Sequence, residues 1–154
     1  HIAKMLRQYS NPARVSLIAD ESLSDEEMLA LHERGDCFVS LTRAEGWGLG
    51  AFEAARLGKP VVMTGYGGQL DFLDGELSHL VDYTLVPVYE PTWSASYKPS
   101  DQWAEPSVEQ AARYLRQVFD APSVARQKAA QQAAVVTEKF SKTAVIRALI
   151  KALA

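Results

Sequence analysis

Hydrophobic positions along the chain switch between two spacings, and each switch marks an element. Ile2, Met5, Leu6 and Tyr9 recur at steps of three and four, a helical stripe that Ser10-Asn11-Pro12 cuts off. Val15-Ser16-Leu17-Ile18-Ala19 reads as a short, largely buried strand. Ser24-Asp25-Glu26-Glu27 opens a helix: Ser24 caps it, Glu27 completes a capping box, and the acids suit the positive end of the dipole. Met28, Leu29, Leu31 and His32 run along it, and Gly35 stops it. Cys37-Phe38-Val39-Ser40-Leu41 is a second buried strand. Residues 49–57 predict the next helix, closed by Gly58 with Pro60 beyond, and Val61-Val62-Met63 predicts a third strand ended by Thr64-Gly65-Tyr66-Gly67-Gly68. Residues 69–73 suit a short helix, and Leu80-Val81 and Leu85-Val86 suit short strands.

Residues 83–106 break this rhythm. They hold Pro87, Pro91, Pro99 and Pro106 with Tyr89, Trp93, Tyr97 and Trp103, and read as a long loop, either functional or pinned to the body by its aromatics. Ser107 and Gln110 then form another capping box, and Val108, Ala111, Ala112, Leu115, Val118 and Phe119 make an amphipathic stripe. Pro122 starts an alanine-rich helix as its first residue. Ser141 caps the last helix, with Val145, Ile146, Leu149, Ile150 and Leu153 on one face. Apolar strands alternating with helices predict an α/β, Rossmann-like parallel sheet flanked by helices.

Composition narrows the classes. The 154 residues suit one domain or half of something larger, and 47% hydrophobic with 23% charged residues is ordinary for a folded globular domain. Sixteen Lys and Arg against nineteen Asp and Glu leave a net charge of −3, which argues against a nucleic-acid partner and against a polybasic membrane anchor. No apolar run approaches a membrane span. Cys37 is the single cysteine, so an internal disulfide and a zinc ribbon are excluded. The chain opens on His1 in what reads as the end of a helix, the expectation for a fragment.

In a doubly wound sheet, ligands bind beyond the carboxyl ends of the strands. Arg43-Ala44-Glu45-Gly46-Trp47-Gly48-Leu49-Gly50-Ala51-Phe52-Glu53 occupies one such turn. Its glycines leave the backbone bare where strand becomes helix, and N–H groups there suit a phosphate or sugar hydroxyls. The spacing is neither the dinucleotide fingerprint nor a P-loop. Glu45 and Glu53 stand with seven residues between them; were the stretch wholly helical, they would lie about 12 Å apart along its axis. They therefore address separate parts of one extended ligand. A carboxylate can accept two hydrogen bonds from a vicinal diol. Glu53 equally suits a dipole-complementing acid, and Glu45 a solvated loop acid.

These residues resemble a known family. The run from Asp36 through Glu45-Gly46-Trp47-Gly48-Leu49, then Glu53-Ala54-Ala55-Arg56-Leu57-Gly58-Lys59-Pro60-Val61-Val62, then Gly67-Gly68, is similar to the group 1 retaining glycosyltransferases of GT-B fold, whose hallmark is glutamate–seven residues–glutamate. Trp103-Ala104-Glu105-Pro106 also resembles a segment of many bacterial members. The resemblance implies a donor-binding lobe over residues 1–154, the C-terminal half of such an enzyme, which moves a sugar from a nucleotide-diphosphate sugar to a saccharide or lipid-linked acceptor. Glu45 would be catalytic, facing the donor sugar. The amides of Gly46, Trp47 and Gly48 would meet sugar hydroxyls, and those near Leu49 and Gly50 the diphosphate. Glu53 would hold the ribose, and Ala19, Asp20 and Leu23 would border the base.

No metal or other cofactor is expected on this resemblance, and the partners would be the nucleotide sugar, the acceptor and an N-terminal domain of the same parent chain. The implied location is cytoplasmic, at the inner membrane face in the parent enzyme. Gly50 stands where many members have proline, Thr42 where serine is usual, and Trp47 where phenylalanine is common. The acceptor domain, the first donor-domain strand and the family's Arg and Lys for the diphosphate are not in these residues; Arg43, Lys59 and Lys98 sit elsewhere. The fragment alone is therefore expected to be inactive. A non-catalytic nucleotide-sugar-binding or interaction module is the alternative.

A phosphoacceptor receiver domain is excluded, because Ser40-Leu41-Thr42 supplies no aspartate at the end of the middle strand. His32 and His79 have no partner at metal-ligand spacing in the sequence, Cys37 suits an inert core thiol, and Tyr66 suits either packing or a donor-sugar contact.

Overall fold

The computed structural model describes residues 2–8, 10–11, 13–18, 22–89 and 97–153. The helix α1 spans Ile2–Leu6, and α2 spans Asp25–Arg34. The α2 capping box forms in full: the Ser24 hydroxyl accepts from the Glu27 amide, and the Glu27 carboxylate accepts from the Ser24 amide. Those hydrogen bonds hold the Glu27 carboxyl below its ordinary range.

Three strands follow: β1 (Phe38–Ser40), β2 (Val61–Thr64) and β3 (His79–Val81), joined in that order into a parallel sheet. Phe38 pairs with Val61, and Val62 with His79. Helix α3 (Leu49–Arg56) crosses between β1 and β2. All four residues of β2 are buried, as a central strand covered on both faces requires.

Alternation along β2 divides the core. On one side Val61 and Met63 pack with Ala51, Ala54 and Ala55 of α3 and with Val136 of α5 (Pro122–Lys139). On the other, Val62 and Val81 meet Ala111 of α4 (Val108–Asp120), with Cys37, Leu41 and Tyr114 around them. Burial raises the Cys37 thiol to about 11, with the Asp36 charge adding to it. Burial, and then the Lys128 charge, lower the pKa of His79, whose ring lies 4.9 Å from that of Tyr114.

Helix α5 is tied to the loop before β3 by a buried amide. Gln132 Oε1 accepts from the Asp74 amide (2.8 Å) and the Ser78 hydroxyl (3.1 Å), and its Nε2 donates to the Phe72 carbonyl (2.7 Å). Rings from four parts of the chain extend the α3 side of the core, three of them half-buried: Trp47 lies 5.8, 5.2 and 5.3 Å from Phe52, Phe72 and Phe140.

Four expectations change. Residues 13–18 form no strand, and Val15, Leu17 and Ile18 are exposed; a short parallel strand is held by its neighbours' backbone hydrogen bonds, and no described strand lies beside this one. Residues 83–106, expected as a loop apart from the Leu85-Val86 strand, contain β4 (Tyr83–Pro87), which includes that pair, and β5 (Gln102–Pro106), an antiparallel arm with Tyr83 opposite Pro106 and Pro87 opposite Gln102.

The Ser107 hydroxyl caps α4, but Gln110 does not close a box. Its side chain turns to Asp82, accepting from the amide (2.5 Å) and donating to the carboxylate (3.0 Å). The packed stripe of α4 is Ala111, Tyr114 and Val118, with Val108, Ala112, Leu115 and Phe119 exposed. Ser141 caps α6 (Lys142–Leu153) as expected, while Val145, Ile146, Leu149, Ile150 and Leu153 stay exposed.

Candidate functional site

Parallel pairing sends β1, β2 and β3 to one edge of the sheet, and the turns leaving that edge build the site. The turn after β1 runs through Glu45 to Gly48, which caps α3 in the left-handed region (φ 85°, ψ 56°) with no side-chain hydrogen bond. A residue with a Cβ is strained there. The start of α3 thus presents backbone amides and the positive end of its dipole beside Leu49, which is exposed.

The turn after β2 locks onto this one. The Gly68 amide donates to the Glu45 carbonyl (3.1 Å). A Cβ on Gly67 would stand 2.5 Å from the Glu45 carbonyl oxygen, and one on Gly68 would be driven onto the Gly46 carbonyl oxygen. Gln69, fully buried, donates its amide to the carbonyls of Thr64 (2.6 Å) and Tyr66 (2.7 Å), fixing the same turn from below. The Gly67-Gly68 pair is therefore required by close approach of two backbones. Gly50 has a different reason to be small: a Cβ there would meet the Phe38 ring at 3.0 Å.

The two glutamates sit in unlike settings. Glu45 lies in the turn, half-buried, ahead of the helix. Glu53 lies in the second turn of α3, half-exposed, with Oε2 3.3 Å from Nε2 of His32 on α2. Only part of the stretch between them is helical, since α3 starts at Leu49. Glu53, Leu49 and Gly50 line a groove of about 690 Å³ between α2 and α3, with Asp25, Met28 and Leu29 opposite. Leu23 is half-buried just before α2; Ala19 and Asp20 lie outside the described residues. The Trp47 side chain belongs to the aromatic cluster, so its packing anchors the turn whose backbone lies at the sheet edge.

Arg43 and Lys59 are committed to structure, whereas Arg56 lines the α2–α3 groove with Glu53. The Arg43 guanidinium pairs with the Glu105 carboxylate of β5, Nη2 donating to Oε1 at 3.1 Å, and stands 4.7 Å over the Trp103 ring. The Arg43 carbonyl also accepts from the Ala104 amide (2.9 Å), which fastens the arm to the Glu45 turn. Lys59 Nζ donates to the Glu33 carbonyl (2.6 Å). Tyr66 packs against Tyr83, ring centres 5.0 Å apart.

The His32–Glu53 contact escaped the sequence reading, because two residues on separate helices meet only through helix packing. The Arg43–Glu105–Trp103 clamp escaped it for the same reason. Among the described residues no cluster of three His, Cys, Asp or Glu side chains could hold a metal ion, and no helix is long and apolar enough to cross a membrane.

A family model described as Family 4 Glycosyltransferase in conflict systems matches residues 4–149. Among curated proteins nothing matches.

Proposed function

Since the chain belongs to the family 4 glycosyltransferases of conflict systems, we propose that it is the donor-binding lobe of a retaining enzyme of GT-B type, taking a nucleotide-diphosphate sugar. The observation that carries this reading is the pair of carboxylates around the start of α3: Glu45 in the glycine-locked turn, Glu53 on the helix facing the α2–α3 groove. In the reading, the nucleoside lies in the groove with its ribose diol on the Glu53 carboxylate. Leu23, Ala19 and Asp20 border the base.

The diphosphate meets the amides around Leu49 and Gly50, where the helix dipole offsets its charge. Sugar hydroxyls meet the backbone of Gly46, Trp47 and Gly48. Glu45 faces the anomeric carbon and stabilises the positive charge that grows there as the phosphate leaves. Attack by a saccharide or lipid-linked acceptor comes from the same face, the departing phosphate taking the acceptor's proton, so no covalent nucleophile and no metal are assigned. Most of the acceptor side belongs to an N-terminal lobe of the parent enzyme, and the diphosphate's basic partners to a first donor-domain strand; we place the enzyme in the cytoplasm.

Titration of UDP, GDP, ADP and TDP sugars against the chain tests the reading. At least one is expected to bind, and Glu53→Ala to weaken it about tenfold or more, the range for hydrogen bonds to a charged group. Binding indifferent to Glu53→Ala overturns it.

A further inference from the structure

A second cavity of about 450 Å³ is lined by Ala44 of the Glu45 turn, Tyr66 of the turn after β2 and the β4–β5 arm. Its lining shares no residue with the α2–α3 groove. Ala44, the neighbour of Glu45, lies on it, so the cleft adjoins the Glu45 turn. Tyr66, Tyr97 and Trp103 supply aromatic surface, and Asp101 and Gln102 supply a carboxylate and an amide. The volume is within the range of about 300–1,000 Å³ usual for small-ligand sites, and the mix of apolar walls with a few polar groups matches them too.

The walls are held in place. Tyr66 is braced by Tyr83, and Trp103 by Arg43 and by its pairing with Val86 across the ladder. Asp101 is oriented by the Lys98 amide, which donates to its Oδ2 (2.8 Å), and its carbonyl accepts from the Val88 amide (3.0 Å). By contrast, Gln102 and Tyr97 are exposed and lead into the cavity.

We propose that this cleft is a saccharide subsite that receives a neutral sugar ring of the acceptor. The proposal rests on the donor-lobe reading for the word acceptor, because the cleft adjoins Glu45 through Ala44, and in that reading Glu45 faces the donor sugar. The chemistry of the walls selects a sugar directly. The C–H faces of a pyranose are weakly apolar and lie against aromatic rings, while its hydroxyls donate to a carboxylate and exchange hydrogen bonds with a primary amide. A phosphorylated or otherwise anionic ligand is disfavoured, since Asp101 lines the cleft and its described lining holds no Lys or Arg.

The test is a titration of the chain with methyl glycosides of glucose, galactose, mannose and N-acetylglucosamine, followed by amide and indole NMR. Binding of at least one glycoside in roughly the millimolar range is expected, with shifts centred on Ala44, Gln102 and the Trp103 indole. Tyr97→Ala, at an exposed position that leaves the fold intact, is expected to weaken it about fivefold, the scale of one aromatic contact. Gln102→Ala should weaken it again.

Glu53→Ala should leave the glycoside titration where it was while reducing sugar-nucleotide binding, so failure of the donor reading and failure of the subsite are read separately. No shift at the cleft with any glycoside, or shifts indifferent to both Tyr97→Ala and Gln102→Ala, overturns the proposal. Displacement of a bound glycoside by a sugar nucleotide overturns the acceptor assignment, because the cleft would then hold the donor's own sugar.

Discussion

His32 Nε2 stands 3.3 Å from Glu53 Oε2 across the α2–α3 contact, and among the described residues no hydrogen bond meets that nitrogen. The His32 ring is itself packed against Phe38, 5.9 Å between centres, so the contact is held by the sheet as well as by the helix. An otherwise half-exposed carboxylate thus has one oxygen drawn to a fixed partner.

If that contact orients Glu53, His32→Ala weakens sugar-nucleotide binding by about three- to tenfold, the worth of one hydrogen-bond-scale interaction. The double variant His32→Ala/Glu53→Ala is expected to be no worse than Glu53→Ala, since the histidine acts through the carboxylate. Independent, additive losses would assign His32 a role of its own.

The interlocked turns make a sharp contrast between neighbouring glycines. Gly68→Ala forces a methyl group onto the Gly46 carbonyl oxygen and is expected to cost about 1–3 kcal/mol, with loss of ligand binding as the Glu45 turn shifts. Gly46→Ala meets nothing within 4 Å and is expected to leave the melting temperature nearly unchanged. Thermal melts of the two variants check this, and equal losses would contradict it.

Gln132→Ala leaves the Asp74 amide, the Ser78 hydroxyl and the Phe72 carbonyl without their partner. A destabilisation of about 2–4 kcal/mol is expected in urea unfolding, because buried unsatisfied groups cost more than a hydrogen bond contributes. A loss below about 0.5 kcal/mol would show that water replaces the amide there.

Cys37 carries a pH prediction. Burial raises its pKa to about 11 from an ordinary 9.0, so the folded chain keeps the proton over a range where the unfolded chain releases it. This contribution to stability is complete below pH 9 and is lost as pH rises toward 11. Alkylation of the native thiol should be slow at neutral pH and should climb until about pH 11, whereas a plateau near 9 would contradict the burial.

Local signals in the chain were sufficient for most of the fold. The Ser24 cap, the fully apolar β2, the glycine-flanked α3 and the Pro122 helix start each depend on neighbours in sequence, and each forms. Residues 13–18 have the composition of a strand, but pairing is a property of the neighbours, which no local pattern encodes.

From sequence the arm reads as a loop apart from Leu85-Val86, because its prolines dominate the local pattern. Its ladder places Pro87 and Pro106 at the ends, where a missing N–H is tolerated, and its attachment runs through Arg43 far upstream. In the site, the positions of Glu45, Glu53 and the glycines were legible as a spacing. The reason for Gly67-Gly68, the His32 contact and the packing of Trp47 among Phe52, Phe72 and Phe140 required the chain to be folded.

The central claim is that Glu53 holds the ribose diol of a sugar nucleotide. The direct measurement compares a bound nucleotide sugar with its 2′,3′-dideoxy analogue on the wild-type chain and on Glu53→Ala. The wild type should prefer the natural ligand by about tenfold or more, and Glu53→Ala should lose that preference, binding both with the affinity the wild type shows for the analogue. If Glu53→Ala still discriminates between them as the wild type does, the ribose is held elsewhere and the account of the α2–α3 groove is wrong.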